Sequence, residues 1–141
     1  PEPSAAPPSG AGRPVKRTIL LVDADPAVQR LVKALFARDG HAVEIAGDPQ
    51  RAMELAQRGG YDLILADARV TAAGRRSVLF VEELLGRLPA LRDRLIVATG
   101  DVRPSTDETL ERLGVRYVRK PFNLRDLRDE AARLWAAAAL S

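Results

Sequence analysis

The chain has 141 residues, 46% apolar and 29% charged, the balance of one folded domain; aromatics are only 4%, so the core must rest on Leu, Val, Ile and Ala. It has no cysteine, which excludes a disulfide framework and thiolate metal sites, and no apolar run near the roughly 18 residues of a membrane span. The net charge of +3 comes from Arg and Lys that alternate with Asp and Glu, as in LRDLRDEAARL (124–134), a pattern that predicts solvated helix faces and no nucleic-acid footprint.

Residues 1–16 are mostly Pro, Gly, Ser and Ala and cannot bury enough apolar surface to offset their ordering entropy. They are expected to be a flexible linker, with the folded unit at 17–140 and another domain before the linker. The amino terminus lacks the basic-then-apolar form of a signal peptide, so the expected location is cytoplasmic. TILLVD (18–23) is short, apolar and β-branched, the pattern of a buried parallel strand. Asp25-Pro26 then offers an N-cap followed by Pro at the first helical position, and Gly40 stops that helix. HAVEIA (41–46) reads as a second strand. Asp48-Pro49 repeats the cap, and Gly59-Gly60 ends the second helix.

DLILAD (62–67) is a third strand, apolar until Asp67. A loop over 68–75 leads into a helix with Val78, Leu79, Val81, Leu84 and Leu85. LIVATG (95–100), a helix from about Ser105 to Leu113, VRYV (115–118) and a last helix from about Leu124 to Ala138 complete the chain. Five strands alternating with five helices predict an α/β fold, a doubly wound parallel sheet covered on both faces. Such a sheet places its site outside the carboxyl ends of the strands, where the strand order reverses. Asp23, Asp67, Thr99 and Lys120-Pro121 stand at or just beyond four strand ends. Two carboxylates, a hydroxyl and an ammonium would then share one crevice.

ILLVDADP (19–26), YDLILAD (61–67), VATGD (97–101) and YVRKPF (117–122), in this order, resemble the receiver domain of response regulators and hybrid sensor kinases. The resemblance covers about residues 17–138. It implies the flavodoxin-like receiver fold with strand order 2-1-3-4-5. It also implies that Asp67 is the phosphoacceptor and that Asp23, Asp67 and the main-chain carbonyl of Arg69 hold Mg²⁺. Thr99 is implied as the switch hydroxyl, Lys120 as the cation that pairs with the phosphoryl group, and Tyr117 as the aromatic that turns inward. A cis bond before Pro121 is implied too. The expected partners are a histidine kinase or histidine phosphotransfer protein, and a downstream protein at the face of helix four, strand five and helix five. This domain would be no enzyme in its own right, and the parent chain would be a sensor histidine kinase carrying it at the C-terminus.

Two stretches depart from the family. Its usual pair of adjacent acids after strand one is Asp23-Ala24 here, which predicts weak Mg²⁺ binding; Asp25 is expected to be occupied as an N-cap. The loop after Asp67 is Arg69-Val70-Thr71-Ala72-Ala73-Gly74-Arg75-Arg76, where only Gly74 carries clear turn chemistry, and its arginines are expected to be solvated. Ala24 supports an alternative function, a receiver-like interaction module that works without phosphorylation. A flavin or nucleotide enzyme on the same architecture is disfavoured, because DADPA stands where a Gly-rich phosphate loop would follow strand one. His41, the one histidine, and Trp135 are expected to be structural.

Overall fold

The computed structural model describes residues 16–68, 77–100 and 104–140, without the side chains of 77–79 and 104–106. The expected linker apart from Lys16, the loop with Arg69, Gly74, Arg75 and Arg76, and the side chains of Val78 and Leu79 lie outside the described residues.

The strands are β1 (Thr18–Val22), β2 (Ala42–Ala46), β3 (Leu63–Asp67), β4 (Leu95–Thr99) and β5 (Arg116–Arg119). The helices are α1 (Pro26–Arg38), α2 (Pro49–Arg58), α3 (Ser77–Arg87), α4 (Pro104–Leu113) and α5 (Leu124–Ala139). All strand pairs are parallel, in the order β2-β1-β3-β4-β5, as expected.

Local chemistry sets the helix starts. Asp25 accepts from the Ala27 amide at 2.9 Å, Asp48 from the Arg51 amide at 2.8 Å, and Asn123 from the Arg125 amide at 2.7 Å. Each satisfies an orphan amide of a first turn, worth about 1 kcal/mol. Gly40 (φ +85°) follows the α1 cap at a conformation that other residues adopt only with strain. One helical segment was not expected: a 3-10 turn over Pro89–Arg94, which makes six helical segments among the described residues instead of five. Pro89 cannot continue α3, Leu88 before it has left helical geometry (φ −133°, ψ 68°), and the chain restarts as a tight turn with Leu91 packed on the core. β5 starts one residue later than read, because the Val115 amide turns back to the Leu110 carbonyl at 3.3 Å.

β1, β3 and β4 are apolar on both faces because helices cover both. Leu20, Val22, Ile64, Ala66 and Val97 pack with α2, α3 and α4; Ile19, Leu21, Leu63, Leu65 and Ile96 pack with α1 and α5. Each buried Leu or Ile contributes about 1.5–3 kcal/mol of hydrophobic stabilisation. Among the described residues no helix is long and apolar enough to cross a membrane.

At the amino ends of the strands, His41 and Trp135 close the layer between α1 and α5. The indole Nε1 donates to the Asp62 carbonyl at 3.1 Å, and the His41 ring meets the Trp135 ring edge-on at 5.1 Å. His41 Nδ1 accepts the Arg17 amide at 3.0 Å, so its neutral form carries the proton on Nε2. Burial lowers the His41 pKa below 6.5, and the Arg17 charge acts in the same direction against the opposing pull of Asp39 and Asp62. The unfolded chain therefore binds a proton at higher pH than the folded one, and stability falls as pH drops from 6.5 through the folded value. Thermal melts of the wild type and His41→Asn should diverge in that window: the wild type loses more Tm between pH 7.5 and pH 5, and equal losses would remove His41 as the cause.

Candidate functional site

Reversal of strand order between β1 and β3 leaves a crevice above their carboxyl ends. Asp23 follows β1 there and is 1% exposed; Asp67 ends β3 at 7%, and Thr99 ends β4 at 0%. Buried polar groups of this kind require partners.

Asp23 is fixed on every side. Its amide donates to the Ala46 carbonyl at 3.1 Å, which carries the end of β1 past β2. Its carbonyl accepts from Gln29 Nε2 at 2.6 Å, one turn into α1. Its Oδ1 accepts the Asp25 amide at 2.8 Å, and its Oδ2 accepts Lys120 Nζ at 3.0 Å. Lys120 Nζ also lies 3.1 Å from Asp67 Oδ1, so one ammonium bridges both carboxylates. The Lys120 amide in turn donates to the Thr99 carbonyl at 2.7 Å, and the Ala68 amide to the Ala98 carbonyl at 2.7 Å. The loops after β3 and β5 are thereby tied to β4. The Lys120–Pro121 bond is cis.

Burial works against the charge on Lys120. The hydrogen bond to Asp23 and the charges of Asp67 and Asp23 together outweigh it, and its pKa lies above 10.5.

Asp23, Asp67 and Lys120 are thus in contact, and Thr99 ends the strand beside Asp67, whose register partner is Ala98. Tyr117 is elsewhere: its hydroxyl donates to Glu111 Oε2 at 3.1 Å on α4, and that bond raises its pKa. Two residues on, Arg119 pairs with Asp107 of α4, while Arg116 pairs with Glu130 of α5 at 2.8 Å. Arg69 lies outside the described residues. Two contributors escape a reading of the sequence, Gln29 and Glu111; nothing in their spacing marks them, since each acts through a partner brought in by the fold.

The donor set for a metal is small. Among the described residues no three His, Cys, Asp or Glu side chains group to hold one. Asp25 does not stand in for the acid absent at Ala24, since its carboxylate caps α1. Asp23 and Asp67 remain, and Mg²⁺ is commonly held by one or two carboxylates with water and phosphate completing its shell. The residues therefore fit Mg²⁺ with a reduced protein share.

Residues 19–132 match the family model described as response regulator receiver domain. The transcriptional activator protein PfeR of Pseudomonas aeruginosa is 30% identical over 117 residues, 77% of this chain; the chain spans 34% of that protein's length. A CheY-like response regulator receiver domain protein from Methanospirillum hungatei superposes with a TM-score of 0.77 at 22% identity, over 87% of this chain and 96% of that one. The receiver domain of the sensor histidine kinase PA1611 from Pseudomonas aeruginosa, described with a magnesium ion coordinated in its active site cleft, does so at 0.74 and 25% identity, over 86% and 99%.

The bridge should be visible in stability. Lys120→Met leaves two buried carboxylates without their cation, a loss of about 3 kcal/mol in urea unfolding at pH 7. Because the folded Lys120 pKa is raised, its contribution is complete below pH 10.5 and is lost as pH climbs through the folded value. The gap between wild type and variant should narrow above pH 10.5.

Proposed function

The chain belongs to the response regulator receiver domain family of two-component signalling, and on that premise we propose that Asp67 is its phosphoacceptor. The observation that carries this is the Lys120 ammonium held against both Asp23 and Asp67 at the carboxyl end of the sheet.

A carboxylate oxygen of Asp67 attacks the phosphorus of a phosphohistidine. The P–N bond breaks, the imidazole leaves with the electron pair and takes up a proton, and an acyl phosphate remains on Asp67. Such transfer asks little covalent help and depends on positioning and on neutralising the equatorial oxygens. Lys120 pairs with one of those oxygens, and the Thr99 hydroxyl donates to another. Asp23, Asp67 and the Arg69 carbonyl would hold Mg²⁺, which when bound supplies further positive charge to the phosphoryl oxygens. Lys120 exchanges a carboxylate for the phosphoryl group, so the ion bridge seen here is altered by the modification. Movement of Thr99 then draws Tyr117 inward and away from Glu111, changing the α4–β5–α5 surface offered to a downstream protein.

The donor is a histidine kinase or a histidine phosphotransfer protein. The parent chain is a cytoplasmic-facing hybrid sensor kinase; the likeness to the PA1611 receiver supports this placement. Ala24 favours one second reading, an interaction module that binds its partner without phosphate and holds Mg²⁺ weakly.

Intact mass after incubation with a small phosphodonor and Mg²⁺ separates the two. A working receiver gains one phosphoryl group, absent in Asp67→Asn; no gain with phosphodonor or with a cognate phosphorylated histidine kinase leaves the phosphate-independent module. Restoring the missing acid gives a second check. A carboxylate about 4 Å from the ion is worth roughly 4 kcal/mol at an effective dielectric near 20, partly offset by repulsion from Asp23 and Asp67. Ala24→Asp should tighten Mg²⁺ at least about tenfold in a calorimetric titration, and unchanged affinity would show that Ala24 does not limit it.

A further inference from the structure

Away from the carboxylate site, α1 and α5 flank a groove of about 910 Å³ that neither the switch nor phosphoryl transfer uses. Its size is in the range of small-ligand sites. One end is an aromatic wall. Trp135 is anchored through Nε1 to the Asp62 carbonyl, His41 abuts its ring, and the Arg17 guanidinium lies over that ring at 5.0 Å from the centroid. Such a wall is rigid and offers planar surface.

The groove is also cationic. Arg17, Arg38, Arg125 and Arg128 face it, against Asp39 and Asp129. Asp39 is consumed by a two-pronged pair with Arg128, at 3.0 and 3.1 Å. Among the described residues Arg38 and Arg125 have no ion-pair partner, so two guanidinium forks and a net positive charge face a ligand there. Guanidinium matches phosphate oxygens in pairs, and a concave cationic surface concentrates anions. Arg125 and Trp135 lie about 15 Å apart along α5 at the helical rise per residue. A compact inorganic anion cannot reach both, whereas an elongated one with a ring at one end can.

We propose that the α1–α5 groove binds a nucleoside polyphosphate, its base against the Trp135–His41–Arg17 wall and its phosphates on Arg38 and Arg125. An acidic peptide would satisfy the arginines but leave the aromatic wall unused.

Trp135 is the only tryptophan, so its emission reports occupancy directly. The full chain is titrated with ATP at low salt in excess EDTA, which keeps the nucleotide from reaching Asp23 and Asp67 through a metal. Tripolyphosphate and poly-glutamate are titrated in parallel. The proposal expects a saturable change in emission with ATP, binding weaker by about tenfold or more for tripolyphosphate, and a similar loss in the doubly substituted Arg38→Gln, Arg125→Gln chain. Both positions are exposed, and circular dichroism checks that the variant folds. No saturable response to ATP, equal affinity for tripolyphosphate or poly-glutamate, or undiminished ATP binding by the variant would each overturn it.

Discussion

A single ammonium shared by two buried carboxylates organises the carboxyl end of this sheet. Asp23 and Asp67 stand on adjacent strands, and two like charges brought so close out of water repel and lose hydration. Lys120 offsets both effects at once, and it does so from the far side of β4. That reach requires the loop after β5 to be pinned, which the bond from the Lys120 amide to the Thr99 carbonyl provides. Parallel pairing of β1, β3 and β4 sets the heights of the three contributing strand ends.

The same arrangement explains why the apolar layers are divided as they are. The three inner strands bury side chains on both faces and so have no freedom to slip in register without exposing one layer. Polar groups are admitted only where the strands end. Asp23 shows how fully such a group must be satisfied: its amide, its carbonyl and both carboxylate oxygens each have a partner.

Much of this was legible in the sequence where the chemistry is local. Asp25-Pro26 and Asp48-Pro49 start their helices as capped turns because cap and amide lie within three residues. The apolar runs gave the strands, and their polar last residues gave the candidate site. The cap on α1 holds Asp25 in the role its place before Pro26 predicts. Illegible were contacts made only by the closed fold. Gln29 beneath Asp23 and Glu111 beside Tyr117 carry no local mark, and Trp135 meets the Asp62 carbonyl across 73 positions of chain. The 3-10 turn that starts at Pro89 is illegible for a different reason: proline announces where α3 stops but not that the chain coils again over Pro89–Arg94.

β5 lies at one border of the sheet, where a strand's unpaired amides and carbonyls are a template on which another chain can grow. Here it is only four residues long, and Arg116, Tyr117 and Arg119 are drawn sideways onto α5 and α4. Those pairings hold bulky charged groups beside the border and keep neighbouring helices close to it. A short border flanked by charged side chains is a poor template for a strand arriving from a second molecule. The polar ties of β5 therefore also guard the protein against sheet-to-sheet aggregation when it is crowded.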